Sequence, residues 1–156
     1  MSTLDNKPYI RVSYNVSNKF NCLNKGNKLQ TLLPLFMPVN LRMHNCHLAK
    51  KVLHGLLPTL HCLRILCLSY YNISDLPGSM GDLKHLRYLD LCDTRLRRLP
   101  QSISTHFNLQ TLLLTGCRRL IELPTNMREL INLRYLDIHC TSLNVMPEEL
   151  NRLKNL

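Results

Sequence analysis

The stretch Leu86-Arg-Tyr-Leu-Asp-Leu91 decides the fold, because its pattern returns three more times in the chain. The other copies begin at Leu63, Leu109 and Leu133, so that successive starts fall 23, 23 and 24 residues apart. A second marker, a leucine or methionine followed by proline, keeps the same phase at Leu76-Pro77, Leu99-Pro100, Leu123-Pro124 and Met146-Pro147. Two independent markers in one phase indicate a repeat architecture.

The period of 23 to 24 residues and the L-x-x-L-x-L core are typical of a leucine-rich repeat. Alternation along a short strand turns Leu89 and Leu91 inward, whereas Tyr88 and Asp90 point to the opposite face. A single repeat cannot bury its leucines alone, so stacked repeats share one continuous core. Proline in each return leg fixes φ and removes a backbone donor. We therefore predict an α/β leucine-rich-repeat solenoid, with parallel strands on the concave face and an irregular, 3₁₀-type convex side.

Two positions within the repeat carry more specific expectations. At position nine, Thr94 and Thr141 are expected to hydrogen-bond loop backbone where the chain leaves the strand, and Cys117 occupies the same position. His106 replaces a leucine that the other repeats keep. We expect Phe107 to take the buried position there and His106 to turn outward.

The N-terminal part of the chain is less regular, and we assign residues 1–59 to a junction segment. Within it, residues 9–14 alternate like a strand, residues 28–34 resemble a degenerate repeat strand, and residues 49–57 place their apolar side chains on one helical face. We expect this short helix to cap the stack, because solenoid ends expose apolar core. Residues 60–156 are assigned to four complete repeats and a fifth that stops at its first leucine. This predicts a piece of a longer protein, with marginal stability and a tendency to associate.

Composition narrows the function classes. Of 156 residues 35 are leucine, 45% are hydrophobic and 19% are charged, which excludes a disordered tail. No run approaches the roughly 18 apolar residues of a membrane helix, and no secretory leader is visible. The seven cysteines lack C-x-x-C spacing and are predicted to be reduced thiols of a cytoplasmic protein. His44, Cys46 and His47 have no partner pair, so no metal site is predicted.

Charge is unevenly distributed along the chain, whose net charge is +10. Residues 1–62 hold eight basic residues and one acid, whereas residues 63–156 hold twelve bases and nine acids. A basic cluster is expected on the loops at one edge of the sheet, at Arg95, Arg97, Arg98, Arg118 and Arg119. Few aromatic residues accompany it, so a solvated edge, or one that docks an acidic protein surface, is favoured over nucleic acid.

No nucleotide-binding, hydrolase or other catalytic motif occurs in the sequence, so we predict no enzyme activity and no cofactor in this chain. The best carboxylate pair, Asp90 and Asp137, is expected to lie roughly 10 Å apart, which is too far to share a proton. The concave face is the remaining candidate site. Its predicted protein-binding residues are Ile65, Cys67, Tyr88, Asp90, Thr111, Leu113, Tyr135, Asp137 and His139.

The block from Leu83 to Pro100, with its Thr-x-Leu-x-x-Leu-Pro return leg, resembles the repeats of plant nucleotide-binding leucine-rich-repeat disease resistance proteins of the coiled-coil class. The stretches Lys28-Leu-Gln-Thr-Leu-Leu-Pro34 and Val52-Leu-His-Gly-Leu-Leu-Pro58 resemble that family's junction between its nucleotide-binding module and its first repeats. The resemblance implies an intracellular defence role, in which the repeat domain holds the nucleotide-binding module inactive. It also implies recognition of a pathogen effector or a guarded host protein.

ADP/ATP exchange belongs to a module that this chain lacks, so nucleotide binding is not carried over to these residues. The alternative reading is an intracellular Ras-group leucine-rich-repeat scaffold, which shares the 23-residue Leu-Pro period.

Overall fold

A parallel sheet runs through the described part of the chain. The computed structural model describes residues 9–12, 29–34, 50–146, 150, 153, 155 and 156. Its strands are β1 Tyr9–Val12, β2 Thr31–Pro34, β3 Ile65–Cys67, β4 Tyr88–Asp90, β5 Thr111–Leu113 and β6 Tyr135–Asp137. They pair side by side in chain order, every pair parallel. The predicted solenoid fold is confirmed.

The register of the sheet is set by one leucine column. Leu66 pairs with Leu89, which pairs with Leu112, and all three side chains are fully buried. Leu136 continues the column in β6 and is half-buried. Since consecutive repeats keep the same residue at the same register position, their leucines stack into a single core.

The convex side consists of short 3₁₀ turns, as the prolines predicted. They cover Leu57–Thr59, Gly78–Asp82, Gln101–Thr105 and Met127–Glu129. Pro77 and Pro100 precede the second and third of these turns with φ of −68° and −65°, which are values that the proline ring imposes. Each of the last three turns buries one apolar side chain against the leucine core, at Met80, Ile103 and Met127.

Two side-chain ladders tie neighbouring repeats together. Asn108, Asn132 and Asn155 each donate through Nδ2 to a backbone carbonyl 24 or 25 residues earlier, over 3.0, 2.6 and 2.8 Å. At position nine, the Thr94 hydroxyl lies 3.2 Å from the Cys117 sulfur, which also contacts the Leu91 carbonyl at 3.1 Å. The expected backbone contact is confirmed at Thr141, whose hydroxyl donates to the Ile138 carbonyl at 2.8 Å. The asparagine ladder was not predicted.

The N-terminal strands and helix form where the sequence predicts them. Helix α1 spans Lys50–Leu56, and its side chains Leu53 and Leu56 are buried in the shared core. The expected cap is wrong, however, because α1 lies between β2 and β3 in the chain while β1 and β2 extend the sheet beyond β3. The degenerate strand pairs with its neighbours as an ordinary repeat strand, so the outermost strand among the described residues is β1 and not one that lies under the helix. The domain boundary at residue 59 stays a prediction.

His106 takes the buried position, contrary to expectation. Its side chain is 0% exposed, whereas Phe107 is 50% exposed. The backbone decides this, because the His106 amide closes its 3₁₀ turn on Ile103, as the Leu83 amide closes on Met80. His106 therefore keeps the inward phase of the leucines that it replaces.

The buried imidazole lacks partners. Neither ring nitrogen of His106 makes a hydrogen bond with the described residues, and the Leu83 backbone lies close without reaching hydrogen-bond geometry. Burial, followed by the charge of Lys84, lowers the pKa of His106 from 6.5 to about 4.

None of the helices in the described ranges is long and apolar enough to cross a bilayer.

We predict that His106→Leu stabilises the chain and reduces its acid sensitivity. As the pH falls from 6.5 towards 4, the unfolded chain binds a proton at this histidine that the folded chain refuses, so stability falls in that window. The linked loss is on the order of 3 kcal/mol at most. Urea unfolding at neutral pH and near pH 4.5 measures it. His85→Asn, at an exposed histidine, should leave the pH dependence unchanged. Parallel pH profiles for His106→Leu and the parent chain would contradict the prediction.

Candidate functional site

The predicted concave-face residues lie in two columns of the sheet. Parallel register aligns Ile65, Tyr88, Thr111 and Tyr135 in one column. It aligns Cys67, Asp90, Leu113 and Asp137 in the other. His139 follows β6 and is exposed. The structure thus brings the predicted residues onto one face, and their role in binding stays a prediction.

Exposure on this face rises toward β6. Tyr135 is 56% exposed, whereas Tyr88 is half-buried and Cys67 is 9% exposed. Burial and the neighbouring Asp90 carboxylate raise the pKa of Tyr88, so this phenol is neutral near pH 7. The two tyrosines offer apolar rings with a hydroxyl tip, which suits protein contacts.

The Asp90 carboxylate accepts hydrogen bonds from neighbouring residues of the chain. Its Oδ2 accepts from the Cys67 thiol at 3.2 Å, and its Oδ1 accepts from the Cys92 backbone amide at 2.9 Å. The Cys67 sulfur also lies 3.1 Å from the Ser69 hydroxyl, so this predicted face residue is buried between Asp90 and Ser69. Asp90 therefore holds two repeats together as well as facing solvent.

These contacts keep both thiols protonated. Burial raises the pKa of Cys67 to about 11, with Asp90 adding to the rise and Ser69 opposing it. Burial, followed by the Asp90 carboxylate, raises the pKa of Cys92 to about 12. Because the thiolate is the nucleophile and the metal ligand, neither sulfur is poised for such chemistry.

Asp137 is the freer carboxylate of the pair. Its Oδ1 accepts from the His139 backbone amide at 2.9 Å. That bond, followed by one from the Thr115 hydroxyl, lowers the pKa of Asp137, so it carries a full negative charge near neutral pH. Leu113 separates it from Asp90 in the register, so the two carboxylates lie two strands apart.

A column of left-handed residues follows the strands and was not predicted. Position eight of each repeat has positive φ, at Tyr70 (65°), Asp93 (54°), Gly116 (74°) and Cys140 (56°). A side chain at Gly116 would require the Asp93 carboxyl group to shift, and glycine adopts the positive φ there without strain. Glycine at this single repeat was the only sequence signal for the conformation.

The predicted docking edge (Arg95, Arg97, Arg98, Arg118 and Arg119) lies on the loops that follow β4 and β5. All of these side chains are exposed except that of Arg95, which is half-buried. Arg98 Nε forms an ion pair with Glu122 Oε1 at 2.9 Å, and both partners are exposed. The edge keeps a net positive charge after this pairing.

No group of three or more histidine, cysteine and acidic residues is arranged for a metal within the described part of the chain. Five cysteines fall in that part, at positions 62, 67, 92, 117 and 140, and they form no disulfide. The sequence positions His44, Cys46 and His47 lie outside the described residues.

The stacked parallel strands, the leucine columns and the 3₁₀ return turns define a leucine-rich-repeat solenoid. A family model described as a leucine-rich repeat region matches residues 32–156. The chain therefore belongs to the leucine-rich-repeat family.

Its similar proteins are plant disease resistance proteins. One, named as a disease resistance protein of Arabidopsis thaliana, is 43% identical over 119 residues, which is 76% of this chain and 8% of the relative. An Arabidopsis protein named as RPP13-like is 45% identical over 106 residues, which is 67% of this chain and 10% of the relative. The chain thus spans about a tenth of the length of these relatives.

Solved structures agree on the fold. A leucine-rich-repeat protein of Leptospira interrogans superposes with a TM-score of 0.66 at 22% identity, over 86% of this chain and 37% of that protein. An internalin of Listeria monocytogenes superposes with a TM-score of 0.61 at 17% identity, over 86% of this chain and 35% of the internalin. The plant peptide hormone receptor RGFR1 superposes with a TM-score of 0.58 at 24% identity. The match covers 83% of this chain and 24% of the receptor.

We predict that Asp90→Asn speeds alkylation of the Cys92 thiol. Removing the carboxylate charge lowers the thiol pKa, and a pKa one unit lower means about ten-fold more thiolate. Iodoacetamide labelling at mildly alkaline pH, followed by peptide mass mapping, gives the rate at each cysteine. Asp137→Asn is the matched control, since this carboxylate lies two strands further along the sheet. Equal labelling rates at Cys92 in both variants would show that Asp90 does not raise the pKa of the Cys92 thiol.

Proposed function

We propose that this chain is the protein-interaction part of a plant immune receptor of the nucleotide-binding leucine-rich-repeat, coiled-coil class. The observation that carries the proposal is 43% and 45% identity to plant disease resistance proteins across two thirds or more of the chain. The same identity favours a receptor over a Ras-group scaffold. The chain acts in the cytoplasm and catalyses no reaction.

The proposal assigns partner recognition and docking of the nucleotide-binding module to two different surfaces. The concave face, centred on Tyr88 and Tyr135, meets a pathogen effector or a guarded host protein. The docking edge and the basic junction segment hold a nucleotide-binding module that lies outside this chain. ADP/ATP binds that module, and this chain needs no cofactor.

The geometry of the face supports protein recognition of limited strength. Six strands at ~4.8 Å spacing span roughly 24 Å. A standard interface buries about 800 Å² on each partner, and aromatic side chains near its centre contribute most of the binding energy. The face is therefore one part of a recognition surface that further repeats would complete.

We expect the face to be needed for recognition in the full-length receptor. The test variant combines Tyr88→Ser, Asp90→Asn, Tyr135→Ser and Asp137→Asn. Losing two aromatic anchors should reduce binding by about thirty-fold or more, since such anchors contribute roughly 1–2 kcal/mol each. Cell death in leaves challenged with the recognised pathogen isolate is the readout.

The control for that experiment removes similar groups from other surfaces. It combines Phe107→Ser, Ile131→Ser, Asp82→Asn and Glu129→Gln, in which Phe107 and Ile131 are exposed apolar side chains. Recognition should survive in the control at matched protein levels. Recognition that also survives in the concave-face variant would sink the assignment of this face.

We expect reversal of the docking edge to activate the receptor without a pathogen. Arg97→Glu, Arg118→Glu and Arg119→Glu together change three exposed cations into anions, which removes attraction to an acidic surface on the nucleotide-binding module. Spontaneous cell death in leaves measures the effect. Reversal of Arg87 and Arg134, which precede β4 and β6 at the other end of the strands, should leave the receptor inactive. A silent docking-edge variant at normal abundance would refute autoinhibition through this edge.

A further inference from the structure

Three arginines stand in a row at the edge where the chain begins its strands. Arg64 precedes β3, Arg87 precedes β4 and Arg134 precedes β6, and all three side chains are exposed. We call these residues the arginine row. None of them makes an ion pair within the described ranges, whereas Arg98 on the docking edge does.

The backbone holds the row in place. The Arg87 amide donates to the Arg64 carbonyl at 2.8 Å, and the Gln110 amide donates to the Arg87 carbonyl at 2.8 Å. The Arg134 amide continues the ladder to the Gln110 carbonyl at 2.9 Å. Ladder spacing of ~4.8 Å therefore places Arg87 one strand from Arg64 and Arg134 two strands beyond it.

Acidic residues lie on the same strands, but none of them forms an ion pair with the row within the described ranges. Asp90 and Asp137 follow Arg87 and Arg134 by three residues, which is roughly 10 Å along an extended strand. Asp90 is engaged by Cys67 and Cys92, and Asp137 by His139. The guanidinium groups thus stay available, and the carboxylates form a negative stripe beside them.

We propose that the arginine row binds an extended acidic segment of the partner protein, which crosses the strands over Tyr88 and Tyr135. This inference rests on the proposed function and names its partner chemistry. Alternate residues of an extended segment point to the same side, so alternate carboxylates can face the row. Guanidinium groups bind carboxylates through paired hydrogen bonds.

The neighbouring charges favour a peptide over a nucleic acid. A polynucleotide carries a negative charge at every residue and cannot turn it away from Asp90, Asp93 and Asp137. An acidic peptide can present its carboxylates to the row and uncharged side chains to the acidic stripe. From Arg64 to Arg134 is three strand spacings, about 14 Å, which four or five extended residues cover.

The experiment uses the full 156-residue chain and a fluorescein-labelled octapeptide of alternating glutamate and serine. Binding is followed by fluorescence anisotropy at low salt. The row variant carries Arg64→Glu, Arg87→Glu and Arg134→Glu. The matched control carries Lys84→Glu, Gln101→Glu, Thr125→Glu and Arg128→Glu, which are exposed positions in or beside the 3₁₀ turns, and it changes the net charge equally. Thermal melts confirm that both variants fold like the parent chain.

We expect the row variant to bind the octapeptide at least ten-fold more weakly than the parent chain, and the control variant to bind it within about two-fold of the parent chain. A peptide with glutamine in place of glutamate should not bind. Equal weakening in both variants would overturn the proposal, because it would show attraction by net charge alone. Absence of binding to the parent chain, or tighter row-dependent binding of a single-stranded oligonucleotide of equal charge, would overturn it too.

The row variant in the full-length receptor separates this inference from the proposed function. Row-dependent peptide binding together with lost pathogen recognition supports both. Row-dependent peptide binding with intact recognition counts against the row as the recognition site while leaving its acidic-peptide specificity in place. A peptide that binds without dependence on the row overturns this inference alone, since the receptor role rests on other residues.

Discussion

Stacking of leucines between repeats is the constraint on which the rest of this structure depends. A three-residue strand has no core of its own, so Leu66, Leu89 and Leu112 become fully buried only because each packs against the next. The spacing between inward leucines is therefore fixed within the chain. Outward residues are not subject to this packing constraint.

The same constraint turns single positions into surfaces. Because the strands are parallel and in register, residues 23 or 24 apart become neighbours, as Tyr88, Thr111 and Tyr135 do. One residue type repeated at one position produces a row of like chemistry, with a spacing that the backbone sets. Asp90 shows the limit of this freedom, since it faces solvent and also accepts a hydrogen bond from Cys67 in the preceding repeat.

The sequence predicted most of the architecture, because period and phase carry it. Each of the strands β3 to β6 begins at the third residue of its repeat, and 3₁₀ turns follow the leucine-proline pairs at 77 and 100. The outward orientation expected for His106 is wrong, because the backbone hydrogen bonds of the turn fix its inward position more firmly than the polarity of the imidazole opposes it. Burial of Cys67 depends on a partner 23 residues away, which becomes visible only once the register is known.

Net charge turns out to describe this molecule poorly at the scale of a binding site. The chain is +10 overall, yet Asp90 and Asp137 make the middle of the concave face acidic between two arginine-bearing edges. At physiological salt, exposed charges more than about 8 Å apart are largely screened from each other. The net charge of the chain therefore adds little to binding at one site, whereas the local alternation of basic edge and acidic stripe selects among partners. A partner that matches only the overall charge satisfies one edge and meets repulsion across the sheet.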